Sequence, residues 1–259
     1  MVDRMLIGVE PAKTAEGNAY WPVRDLSPVA PNTDSTGWTH VLGEADAAPL
    51  YLSRADQDYW HVFLADGKLL YLQINRMRDD GTQPLADYLN GVVAEVRQKG
   101  IKYVAVDLRF NRGGNYLLVA DFARLLPDTL PADGRVFILT GGNTFSAAIS
   151  IVSRLKYFSG SRGIQLGEPM GDRGQMWGEG DVAILPNSKI AVRYATAYHD
   201  WENGCRLTQI TYCFLPNYIY GAAPGSLVPQ VDVSLTFADY AAKRDPVMDE
   251  VLKLLKTNP

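Results

Sequence analysis

The sharpest pattern in the chain is a covered strand, a glycine turn and a helix between Arg135 and Phe158. Arg135–Thr140 (RVFILT) is a β-branched and apolar run with no polar alternation inside it, as a strand buried on both faces reads. Gly141 and Gly142 follow, residues that admit backbone angles others resist. Thr144 predicts a helix N-cap, with Phe145, Ile149, Val152, Leu155 and Phe158 at helical spacing after it. Ser146 then falls in the first helical turn, where free N–H groups and the positive end of the helix dipole point.

Similar units precede and follow. YWHVFLADGKLLYLQIN is two apolar runs separated by Asp66-Gly67, a hairpin signal. Pro84–Gly100 reads as an amphipathic helix with Leu85, Leu89, Val92, Val93 and Val96 on one face and Gly100 ending it. Ile101–Phe110 reads as a second buried strand, followed by the turn NRGGN. A helix over Leu117–Leu126 comes next, with Leu118, Phe122 and Leu125 inward, stopped by Pro127. GIQLGEP is a third short strand. Strand, turn and helix repeated with short connections imply an α/β fold with a mostly parallel sheet and right-handed crossovers. The turns Gly113-Gly114 and Gly141-Gly142 would then open on the same sheet edge.

Downstream, PMGDRGQMWGEG is a glycine-rich loop, and DVAILPNSKIAVRYATAY predicts a hairpin turning at Pro186-Asn187. DPVMDEVLKLLK predicts a terminal helix with Asp245 as N-cap, Pro246 at its first position, and Val247, Val251, Leu254 and Leu255 inward. Residues 1–50 read differently. Pro11, Pro22, Pro28, Pro31 and Pro49 break an irregular, polar stretch in which only MLIGVE suggests a strand. The expected organisation is an irregular segment over 1–50, a remnant of a preceding domain or a covering arm, and one core domain over 51–259.

Composition narrows the partners. A hydrophobic fraction of 47% supports a real core, and a net charge of −4 with no Lys/Arg block argues against nucleic acid or an anionic membrane. No apolar run reaches membrane-span length, and MVDRMLIGVEPAK lacks the apolar core of a secretory signal. Three histidines without paired Cys/His spacing give a metal site little support, and no cofactor is implied. The two cysteines, Cys205 and Cys213, admit a disulfide in an exported protein or two buried thiols. The intervening RLTQITY holds no Gly or Pro to mark a turn, so the expectation is two unbridged thiols.

Two backbone features converge on Ser146. NRGGN after a buried strand can aim successive amides one way, and the amide of Ala147 points into the same region. Together they would form an oxyanion hole, a donor of this kind being worth about 3–4 kcal/mol of barrier. The bland alternative is a small first-turn serine and two tight turns.

YWHVFLADGKLLYLQINRM, VAVDLRFNRGGN, VFILTGGNTFSAAI, GEPMGDRG, LPNSKIAV and VDVSLTFADYAAKRDPVMDEVL, in this order from Tyr51 to Leu255, resemble the S41 peptidases. That family includes the C-terminal processing (tail-specific) proteases, the tricorn core proteases and the interphotoreceptor retinoid-binding proteins. The resemblance implies a ClpP/crotonase-like core of ββα units, with Ser146 at the nucleophile position and Gly113 or Gly114 and Ala147 at the oxyanion positions. It also implies a peptide or protein substrate, and a periplasmic or extracellular location if the natural chain carries an upstream signal, otherwise a cytoplasmic one.

Where the processing proteases carry a lysine base, this chain has Arg173, in Gly167-Glu168-Pro169-Met170-Gly171-Asp172-Arg173-Gly174. An arginine stays protonated and cannot take the serine's proton. Arg173 is instead a candidate cleft residue, holding a substrate carboxylate or pairing with Asp172 or Glu168. His40 and His61 precede the core without a matching motif, and His199 beside Asp200 reads as structural, which leaves the base unassigned. No PDZ-like domain is legible. The sequence thus supports a serine peptidase or peptidase-like hydrolase, with a catalytically weakened S41-like binding protein as the alternative; crotonase-type acyl-CoA chemistry lacks its basic patch.

Overall fold

The computed structural model describes residues 48–54, 57–79 and 83–257. MLIGVE and His40 lie outside the described residues. The hairpin forms as expected: β1 (Tyr59–Leu64) runs antiparallel to β2 (Leu69–Ile74), from Tyr59 opposite Ile74 to Leu64 opposite Leu69. From β2 the sheet continues in parallel through β3 (Tyr103–Asp107), β4 (Arg135–Thr140), β5 (Gly163–Gly167) and the short β10 (Val231–Asp232). The order β1-β2-β3-β4-β5-β10 is the expected α/β class with a mostly parallel sheet.

Three helices connect the parallel strands: α1 (Leu85–Lys99), α2 (Leu117–Thr129) and α3 (Ala147–Ser159). Because the sheet grows in one direction, right-handed crossovers put all three on one face. There Leu70, Leu72, Ile74, Val104, Val106, Val136 and Ile138 pack against them. The alternate residues Leu69, Tyr71, Tyr103, Ala105, Phe137 and Leu139 face the other way, against the C-terminal helix α6 (Pro246–Thr257) through Val247, Met248 and Val251. Two shorter helices, α4 (Asn217–Tyr220) and α5 (Phe237–Ala241), precede it.

All five inward residues expected of α1 are buried, and Gly100 closes the helix in the left-handed region at φ 61°. Pro127 does not stop α2 outright. It occupies the last turn, and the helix ends two residues later at Thr129. The helical face there is Val119, Phe122, Ala123 and Leu126, with Leu118 and Leu125 only partly buried.

Between β5 and β10 the chain makes an excursion of two small antiparallel sheets. β6 (Gln175–Gly178) pairs with β9 (Ala197–Asp200), and β7 (Asp181–Ile184) with β8 (Ala191–Tyr194), the expected hairpin. Trp201 fixes this lobe to the core: its N–H donates to Gly174 O (2.8 Å), and its carbonyl accepts the Ser153 hydroxyl of α3 (2.6 Å).

Cys205 and Cys213 are bridged, contrary to the expectation of free thiols, with Cα atoms 6.4 Å apart. The chain reverses between them without Gly or Pro because successive αR turns need neither. A 3-10 turn spans Leu207–Gln209, and the Cys213 N–H donates to Gln209 O (2.7 Å). A loop of this size predicts that Cys205→Ser with Cys213→Ser costs about 2–3 kcal/mol of stability, read from urea unfolding under non-reducing conditions.

His199 in β9 is buried in the lobe at 4% exposure, its ring 4.3 Å from that of Phe214. Neither ring nitrogen has a hydrogen-bond partner among the described residues; Glu179 Oε1 is 3.7 Å from Nε2. Burial lowers its pKa from 6.5 to about 4. The unfolded chain therefore binds a proton that the folded chain refuses between these values. The stability contributed by the neutral ring is complete above pH 6.5 and is lost as pH falls to about 4. The loss amounts to about 3 kcal/mol. Urea titrations at neutral pH and at pH 4 should show the gap between wild type and His199→Phe shifting by that amount in favour of the variant.

Candidate active site

The loops after β3 and β4 lie side by side because those strands are hydrogen-bonded neighbours, Asp107 opposite Leu139. Their C-terminal ends share one sheet edge, where open α/β sheets place their ligands. Both loops are tied down by side chains of the D-L-R-x-N-x-G-G stretch.

Asp107 and Arg109 begin the first loop. The Arg109 guanidinium lies between two buried carboxylates, with Nη2 2.6 Å from Asp107 Oδ2 and 2.8 Å from Asp245 Oδ2. Burial works against its charge, and the carboxylates on either side outweigh that and hold it protonated. Tyr71 donates to Asp107 Oδ2 (2.6 Å); burial first, then the neighbouring carboxylate, push its phenol well above the ordinary tyrosine range. Asp245 also caps α6, accepting the Met248 N–H at 3.2 Å. The cluster thus joins the start of the loop to the helix on the far face.

Asn111, fully buried, holds the next three residues. Its Nδ2 donates to Ile74 O (3.0 Å), its Oδ1 accepts the Gly113 N–H (2.9 Å), and its carbonyl accepts the Phe145 N–H (3.0 Å). The last of these bonds fastens the first loop to the second. Thr144 makes another such tie, its hydroxyl donating to Leu108 O (2.8 Å) while accepting the Gly141 N–H (3.0 Å).

That task takes Thr144 away from the expected N-cap role. Helix α3 begins at Ala147, and Ser146 is the residue before it, at φ 54° and ψ −127°. This conformation is rare for a residue with a Cβ and costs on the order of 1–3 kcal/mol. Ser146 is half-buried, and its Oγ has no hydrogen-bond partner among the described residues. Phe145, expected inward, is instead 43% exposed beside it. Ile149, Val152 and Leu155 are buried as expected.

Gly113 and Gly114 take φ of 100° and 132°, where only glycine is at ease, whereas Gly141 and Gly142 do not adopt positive φ. A Cβ on Gly113 would sit 2.9 Å from both the Ser146 Cβ and the Ala147 N. The structure therefore brings Ser146, Ala147 and Gly113 into contact. The Gly113 N–H is spent on Asn111, while the N–H groups of Gly114 and Ala147 meet no acceptor among the described residues.

The loop after β5 closes this edge, the Gly171 N–H donating to Thr144 O (3.0 Å). Arg173, next in the chain to Gly174, does not join the site. Its side chain is exposed, and the expected ion pair with Asp172 or Glu168 is not formed; only its own N–H donates to Asp172 Oδ1 (2.7 Å). His61 sits on edge strand β1, 2.6 Å from Tyr88 Oη. Sequence reading quoted Asp107, Arg109 and Asn111 within the motif and gave them no role. The signal was the alternation of polar residues in Asp107-Leu108-Arg109-Phe110-Asn111 directly after an apolar run. Arg109→Met, which leaves two buried carboxylates facing one another, is expected to cost about 3–5 kcal/mol in urea unfolding, against under 0.5 for Arg173→Met on the surface.

No family model matches the chain, and no curated protein does. Among solved structures it is similar to a photosystem II D1 C-terminal processing protease, at 17% identity and TM-score 0.42, covering 69% of this chain and 48% of that one. It is similar also to an S41 protease from Bacteroides fragilis NCTC 9343, at 14% identity and TM-score 0.45, covering 77% and 57%. A lipoprotein from Streptococcus agalactiae gives 13% identity and TM-score 0.47, covering 78% and 71%. The chain spans about half the length of the first two. These include members of the family that its motifs resemble.

Proposed function

We propose that the chain is an acyl-transferring hydrolase of the S41 type whose nucleophile is Ser146 and whose substrates are peptides. The observation that carries this reading is the strained backbone of Ser146 in contact with Gly113, with the amides of Ala147 and of the adjoining Gly114 unclaimed among the described residues. Strain that the surroundings hold in place is a mark of functional positions. In this reading Ser146 Oγ adds to a carbonyl carbon, and the carbonyl oxygen takes the negative charge between the two N–H donors. Collapse expels the amine or alcohol with its proton and leaves an acyl-serine, which water hydrolyses. Phe145, 43% exposed and next in the chain to Ser146, favours an apolar side chain at the cleaved residue.

A second reading is a binding protein on the same frame. Its support is the proton's missing destination, since no lysine or histidine bonds Ser146 among the described residues and Arg173 cannot act as a base. Both readings keep the Ser146 geometry and differ in turnover.

A fluorophosphonate probe separates them. Attack by Ser146 Oγ on phosphorus, with loss of fluoride, should label one tryptic peptide containing Ser146. Ser146→Ala should abolish labelling and lower p-nitrophenyl ester hydrolysis by at least about 100-fold, with urea stability retained within about 1 kcal/mol. Labelling of the alanine variant at the wild-type rate excludes Ser146. Binding of an apolar peptide without any labelling favours the second reading.

A further inference from the structure

At the opposite end of α3 from Ser146, a cavity of about 590 Å3 opens between the last turn of the helix and the segment that leads into β10. Ten residues of helix put it about 15 Å from the serine. Lys156, Tyr157, Pro224, Ser226, Val228 and Pro229 line it, which makes a wall with two prolines, one valine and a single cationic group. The volume is within the range of small-molecule sites.

Lys156 is half-buried, and its ammonium is held from two sides. Nζ donates to Gln165 Oε1 (3.2 Å) and to Ser226 O (2.8 Å). Gln165 is itself fixed, its Nε2 donating to Leu227 O (3.0 Å) and Thr140 Oγ1 (3.2 Å), so the amine rests on a rigid floor. Two of three N–H donors are used, and no carboxylate lies within ion-pair distance of Nζ among the described residues. Burial accordingly lowers the lysine's pKa, with Glu202 a weaker opposing influence from further off.

A half-buried ammonium without a counter-ion is unfavourable unless a charge of opposite sign arrives. The C-terminal end of α3 supplies about half a negative charge. What is left calls for one anion of single charge, with a body that suits prolines, a valine and a tyrosine ring.

We propose that this cavity binds a small organic monocarboxylate, its carboxylate on Lys156 Nζ and its apolar body against Val228, Pro224 and Pro229. The site is separate from Ser146 and does not depend on the activity proposed there. The carboxylate accepts the third N–H in a charge-assisted hydrogen bond. Tyr157, 52% exposed, and Val228, 66% exposed, leave the entrance open.

The test is a titration of the whole protein with sodium benzoate, followed by amide chemical shifts at Gly160 and Gly163, which also line the cavity. Saturable shifts with Kd on the order of 1–10 mM are expected, at least about tenfold weaker in Lys156→Gln. Val228→Glu, an exposed change that leaves the floor intact, should abolish binding and serves where Lys156→Gln fails to fold. Benzyl alcohol, of the same shape without the charge, should bind at least about tenfold more weakly, and inorganic phosphate likewise. The proposal is overturned by benzyl alcohol or phosphate matching benzoate, by unchanged affinity in either variant, or by no saturable shift.

Discussion

The position of the candidate site depends on one guanidinium held between two carboxylates. Asp107 is the last residue of β3, Arg109 lies two residues on and points to the same side, and Asp245 is the N-cap of α6. A buried ion cluster of this kind is a poor source of net stability, because desolvation consumes most of the attraction. Its contribution is geometric. Arg109 can satisfy both carboxylates only when β3 ends where it does and α6 starts where it does. The loop that leaves β3 is therefore aimed by this cluster in addition to its own contacts.

From there the constraint passes along the backbone. Asn111 takes the end of β2, the Gly113 turn and the Phe145 amide in one set of three hydrogen bonds. The Thr144 hydroxyl adds a second tie between the loops. Ser146 is thus caught between a fixed Phe145 and a helix whose buried face, Ile149, Val152 and Leu155, is packed in the core. Between these anchors Ser146 takes its positive φ of 54°. Each tie is worth roughly 1 kcal/mol net, so several together offset a strain of about 1–3 kcal/mol.

Much of the frame was legible because it follows from periodicity. Helix α1, both hairpins, the parallel order and the Asp245 cap are local patterns, and they are observed. The details at the site are long-range. Thr144 looked like an N-cap, and its hydroxyl is claimed by Leu108, 36 residues away in the neighbouring loop. Gly141 and Gly142 admit unusual backbone angles, yet the positive φ falls on Ser146. No propensity predicts that, since serine is poor at such angles. The absence of Gly and Pro between Cys205 and Cys213 misled in the same way, as αR turns accept ordinary residues. Arg109 and Asp245 lie 136 residues apart, and their pairing has no local trace.

The proposed site is made almost wholly of main chain: two amides and the backbone that presents one hydroxyl. Such elements survive side-chain replacement, which is why a frame of this kind can persist whether or not a base accompanies it. The two contributions are also separable in energy. An oxyanion donor is worth about 10²–10³ in rate, and a general base about 10²–10⁴. In the proposed reading, with the oxyanion donors in place and no base bonded to Ser146 among the described residues, the reactions within reach are those whose leaving group departs readily. An activated ester asks little of proton transfer, whereas a peptide bond asks for a proton at its departing nitrogen. On that reading, the balance between ester and peptide cleavage would measure how much of a base this chain supplies.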